Sequence, residues 1–140
     1  MSTVLWANQL LNGKVVSDQS DKWALYKHAE KLDKVALAAK LAPFSSLFDH
    51  TDLKFNMGDD ELPEGMKSTD ELMARHGAWK SAADSLAILS GLLTAITNDK
   101  PLLGLAKVDY DSVIAELSES IEYAKKAAAS GAKFNLSVVM

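Results

Sequence analysis

Asp49-His50-Thr51-Asp52 sets an imidazole between two carboxylates and is the most chemically suggestive run in the chain. A histidine flanked by carboxylates has its charged form favoured, and all of these side chain types can ligate a metal. Asp59, Asp60 and Glu61 follow closely and could complete a site for a hard cation. The spacing matches neither an EF-hand nor a zinc-binding helix. The plainer reading, and the preferred one, is an acidic loop in which Asp49 or Asp52 caps a turn.

His28 sits at the edge of an apolar stripe, beside Leu32 and Val35, and could join Asp49, His50 and Asp52 as a ligand or act as a general base. The commoner fate of such a residue is a core histidine bonded to a carbonyl. His76, just before Gly77, is expected to face the carbonyls at a helix C-terminus. Trp23 and Tyr26 lie off the main stripe of their helix and are candidate anchors for a partner. Burial under neighbouring segments is the preferred alternative, because large aromatics are mostly covered. No Gly-rich phosphate loop, Gly-x-Ser-x-Gly elbow or His-Glu-x-x-His stretch is present.

The chain that must position these groups has 140 residues, enough for one domain over 1–140 with its own core. It has no cysteine, which excludes disulfides, thiolate metal sites and a cysteine nucleophile. The first residues carry no basic run, so no secretory signal is expected. The uncharged stretch Ser85–Asn98 is too short to cross a bilayer. A soluble, cytoplasmic protein is the expectation. The net charge of −4 is local in origin: residues 45–75 hold eight acids against three bases, and the remainder eleven against twelve. Arg75 is the only arginine, so nucleic acid and anionic membrane are poor partners.

Val4–Leu11, Asn12-Gly13 and Lys14–Ser17 read as a β-hairpin, slightly preferred over a short helix. Lys133–Val138 alternates polar and apolar residues like a half-buried strand, so the two termini could pair. Leu25, Ala29, Leu32, Ala36 and Ala39 predict one helix from Ser20 or Asp21 to about Leu41, ended by Pro43. Residues 44–67 read as irregular. Ser68-Thr69-Asp70-Glu71 has capping-box spacing, with Gly77 as the break. Ser81 starts a central helix to about Thr97, with Leu86, Leu89 and Leu93 inside, and a small-residue ridge at Ala87, Gly91 and Ala95. The last helix spans about Asp109 to Ser130.

The expected fold is therefore mainly α, a compact domain of four to five helices, with a small β element from the N- and C-terminal segments as an option. The expected function is a non-enzymatic protein-interaction or regulatory module. It would use the acidic 45–75 segment, with Asp59, Asp60 and Glu61, or the Trp23/Tyr26 patch. Its partner would be a basic protein or a second copy of the chain. The alternative is a metal-dependent or small-molecule enzyme or binding protein with its site at Asp49, His50, Asp52 and His28. Neither reading specifies a cofactor.

Overall fold

The computed structural model describes residues 3–58, 62–98 and 104–140. Among them the chain forms six α-helices and a five-stranded, mostly antiparallel sheet. The fold is mixed α/β, which corrects the expectation of a mainly α domain. The terminal strands, expected as an optional element, are the centre of the sheet.

Strand β1 (Val4–Leu11) turns at Asn12 and Gly13 into β2 (Lys14–Ser17). Both turn residues have positive φ, 52° and 77°, as a type I′ hairpin requires. On its other side β1 pairs antiparallel with β5 (Lys133–Val139), in register from Val4 opposite Val139 to Leu10 opposite Lys133. The far edge of β5 is shared by two strands of two residues each: β3 (Phe48–Asp49), parallel, and β4 (Lys80–Ser81), antiparallel. Strands this short carry no periodicity, which is why residues 44–67 read as irregular. They hold a 3₁₀ turn (Phe44–Leu47), β3 and helix α3 (Thr51–Met57).

The two sheet faces have different chemistry. Leu5 and Ala7 of β1 and Phe134, Leu136 and Val138 of β5 are fully buried on one face. They join a single apolar core with α1 (Trp23–Lys27), α2 (Ala29–Ala38), α5 (Ala82–Asn98) and α6 (Lys107–Ala129). The opposite face carries Val4, Trp6 and Asn8 with Asn135, Ser137 and Val139, and α3 and α4 (Thr69–His76) lie on that side. Alternation in β5 therefore does not mean one face in water. Asn135 and Ser137 are each 1% exposed, covered by the second helical layer.

The expected single helix over 20–41 is two, broken at His28, whose φ of −106° and ψ of 20° leave the helical region. Backbone bonds continue across the break, from His28 N to Ala24 O and from Leu32 N to His28 O, so it is a bend that lets α1 meet β1 and α6 while α2 turns onto α5. The inner face of α5 is also rotated: Ser85, Ile88, Leu89, Leu92 and Ile96 are buried, while Leu86 and Leu93 lie at the margin. Its surroundings on several sides decide this, and an apolar helix gives little internal preference. Gly91 of the small-residue ridge is where Leu41 packs: an added Cβ would lie 2.8 Å from Leu41 Cδ1.

Caps are where the local signals point. Ser68 Oγ accepts from Glu71 N at 3.4 Å, and Ser81 Oγ accepts from Asp84 N at 3.1 Å. Glu71 Oε2 reaches one residue further back than a capping box would, accepting from Lys67 N rather than Ser68 N, at 3.1 Å. Gly77 follows α4 in an extended conformation and has no room for a side chain: a Cβ there would strike Met73 O and lie 2.8 Å from Asp49 Oδ2. Gly77→Ala is expected to cost about 1–3 kcal/mol, the usual penalty of overpacking. Urea denaturation of the variant beside the parent measures it.

Between β2 and α1 the chain runs on along the outer edge of β1. Asp18 N donates to Ala7 O at 3.0 Å, and Lys22 N donates to Leu5 O at 3.0 Å. This track carries Lys22 into the protein, where its side chain is 0% exposed. Its ammonium donates to Asp18 Oδ2 at 2.5 Å, Ser20 O at 3.0 Å and Glu119 Oε1 at 3.1 Å. Beside it, Glu116 Oε1 accepts from Leu25 N at 3.0 Å and so caps the start of α1 from α6. Burial pushes the Glu116 carboxyl up, against the pull of its backbone donors and Lys22.

Candidate functional site

The second helical layer is held to the sheet through the residues that follow α4. Asp49, at the end of β3 and 2% exposed, accepts from Thr51 N and Thr51 Oγ1, both at 3.0 Å, and from Ala78 N at 2.7 Å. Asn135 Nδ2 donates to Ala78 O at 2.9 Å, and Asn8 Nδ2 donates to Asn135 Oδ1 at 2.9 Å. Trp79 Nε1 donates to Met73 O at 2.9 Å. Ala78 is thus held at both its amide and its carbonyl. Asp49 spends its carboxylate inward, starting α3 and fastening this segment.

Two hollows flank that fastening. The first, of about 660 Å³, lies between the polar sheet face and the facing ends of α3 and α4. Trp6, Asp21, Asp52, Asn56, Thr69 and Asp70 are among its walls, and among the described residues no lysine, arginine or histidine is. Trp6 Nε1 donates to Asp21 Oδ1 at 2.7 Å. Asp52 accepts from Thr69 Oγ1 at 2.9 Å and from Asn56 Nδ2 at 3.0 Å, bonds that orient it without cancelling its charge. Burial and, after it, the charge of Asp52 push the Asp70 carboxyl above its ordinary range. Asp70 is partly desolvated beside a second carboxylate, so a cation entering the cleft would gain electrostatic energy.

The second hollow, of about 540 Å³, opens on the other side of Asp49. Phe48, Phe55 and Leu72 give it apolar walls, and His50, Lys54 and His76 bring nitrogen donors to it. His50 and His76, far apart in sequence, meet here because α3 and α4 pack side by side. His76 ends α4 as expected, but it lines this hollow.

The four residues of the expected metal or ligand site are distributed. Asp49 and His50 share the second hollow, and Asp52 faces the first. His28 is elsewhere: its Nε2 donates to Asp109 Oδ2 of α6 at 2.9 Å, which is a carboxylate rather than a carbonyl partner. Among the described residues no three His, Asp or Glu side chains gather in a way that could hold a metal ion. Trp23 is 38% exposed with the Lys27 ammonium 5.6 Å from its ring centre, whereas Tyr26 packs against the core. Asp59, Asp60 and Glu61 lie outside the described residues.

The His28–Asp109 contact makes a pH prediction. The hydrogen bond from His28 first, and then Lys27, hold the Asp109 carboxyl below its ordinary value. A depressed carboxylate adds stability above its unfolded value, near 3.9, and that contribution is lost as pH falls through the lower folded value. Asp109→Asn is therefore expected to melt below the parent at pH 7, with the gap closing as both are taken toward pH 2.

Trp6, Asp21 and Thr69 were not legible as site residues. Trp6 and Asn8 share a face by the two-residue period of a strand, and Asn8 of that face meets Met73 of α4 and, more than a hundred residues away in sequence, Asn135 of β5. Asp70 was visible only as part of a cap. No helix among the described residues is long and apolar enough to cross a membrane. Compared with protein-family models, curated proteins and solved structures, the chain matches none, so the two hollows are read from their own geometry.

Proposed function

We propose that this chain is a non-enzymatic binding module whose acidic cleft receives a basic side chain of a protein partner. The observation that carries the reading is the wall composition: three carboxylates, Asp21, Asp52 and Asp70, come from separate parts of the chain, with no cationic side chain beside them among the described residues. Trp6 supplies a flat aromatic surface for the methylenes or charge of a lysine or arginine. The raised Asp70 supports the same view, since a bound cation would favour its ionised form. A cysteine-free chain suits a cytoplasmic setting, and an acidic cleft in a chain with one arginine suits neither nucleic acid nor anionic membrane.

The experiment is an NMR titration with a short lysine-rich peptide, followed at the Trp6 indole N–H, with a glutamate-rich peptide as control. The lysine peptide is expected to shift that signal saturably, less so in high salt because the attraction is screened. Asp52→Asn with Asp70→Asn should weaken binding at least tenfold. Equal binding by the double variant, or a silent Trp6, would remove this reading.

A further inference from the structure

The hollow beside Asp49 has nitrogen donors where the acidic cleft has carboxylates. His50 precedes α3 but makes no capping bond with its side chain. Lys54 stands four residues on, so the two project from one face of the helix. Neither they nor His76 make a side-chain hydrogen bond or ion pair among the described residues. Below them the wall is ordered: Phe44 and Phe48 meet edge to face at 5.2 Å, and Phe48 meets the His50 ring at 6.3 Å. Nitrogen donors around an aromatic floor suit an anion with a flat apolar body. Asp49 also lines this hollow, its carboxylate held inward by Thr51 and Ala78. Its charge opposes a dianion such as a phosphate monoester more strongly than a single carboxylate.

We propose that this hollow is a second binding site, separate from the acidic cleft, and that it takes a small aromatic monocarboxylate. The ligand carboxylate pairs with the Lys54 ammonium and accepts from His50 and His76, while the ring lies on Phe48, Phe55 and Leu72. Pairing with one ammonium supplies a charged hydrogen bond, and the imidazoles add direction. The apolar walls supply area that water leaves on binding.

The test uses indole-3-carboxylate at millimolar concentration with the full chain, followed by NMR at the His50 and His76 ring protons. Saturable shifts at both rings are expected. Lys54→Met, an exposed change on α3, should weaken binding about tenfold, in keeping with the loss of one charged hydrogen bond. Indol-3-ylmethylamine, the same ring with the opposite charge, and indoxyl phosphate, its dianionic counterpart, should each bind at least tenfold more weakly. Asp52→Asn with Asp70→Asn should leave the carboxylate's affinity unchanged, which separates this site from the cleft. Unmoved imidazole signals, equal binding by Lys54→Met, or an amine that binds as well as the acid would each overturn the proposal.

Discussion

Lys22→Met is expected to lower the free energy of unfolding by about 3 kcal/mol, near the lower end of the range for breaking a buried ion pair from one side. Methionine keeps most of the lysine stem, so the loss reports the ammonium rather than a cavity. Removing it leaves Asp18 and Glu119 without their shared cation, and takes a favourable charge from beside Glu116, already pushed up by burial. Glu119 is 47% exposed and can turn to water, which holds the expected cost at the lower end. The complementary change, Glu119→Gln, should therefore cost about 1 kcal/mol or less, as for a mostly exposed pair. Urea denaturation of both variants with an unchanged slope would establish the values. A loss below 1 kcal/mol in Lys22→Met would mean that its ammonium reaches water in solution.

The second large effect is expected at Asp49. Its carboxylate takes three donors, from Thr51 twice and from Ala78, while 2% exposed. Asp49→Ala should cost about 3 kcal/mol, reckoned from hydrogen bonds to a charged group at roughly 1.5–3 kcal/mol each and partial rehydration of the freed amides. Asp49→Asn keeps one acceptor oxygen and should recover about half of that loss. The damage should also be local. The Ala78 amide is expected to exchange with solvent much faster than those of β5, because it loses its acceptor while the sheet ladder stays paired. Unchanged exchange at Ala78 would show that Asn135, through the Ala78 carbonyl, holds the segment by itself.

These two residues also show why the site was only partly legible. Asp49, His50 and Asp52 stand out by type and spacing, and two local readings compete for them. Which wins depends on Ala78 and Thr69, which reach them only when α4 lies beside α3. Asp52 and Asp70 then face one cleft and His50 and His76 another, although the first three belong to one acidic stretch of sequence and His76 directly follows it. His28, grouped with Asp49 by residue type alone, is drawn to α6 by Asp109. Lys22 was unmarked, since a lysine between a strand and a helix is ordinarily solvated and only the track along β1 carries it inward.

What the sequence determined by itself is what short-range physics controls. Positive φ at Asn12-Gly13 sets the hairpin, and hydroxyl caps at Ser68 and Ser81 start α4 and α5. Each depends on a few neighbouring atoms. Tertiary structure alone decided the fold class, because β1 and β5 become a sheet centre only by meeting across nearly the whole chain. It also decided which face of α5 is inside, where the 20–41 helix bends, and that the polar side of β5 is buried. Alternation records which side chains differ in polarity, whereas burial depends on what packs above them. Here α4 sets Met73 against Asn8 and Asn135, and their mutual hydrogen bond satisfies a face that the alternation would have left to water.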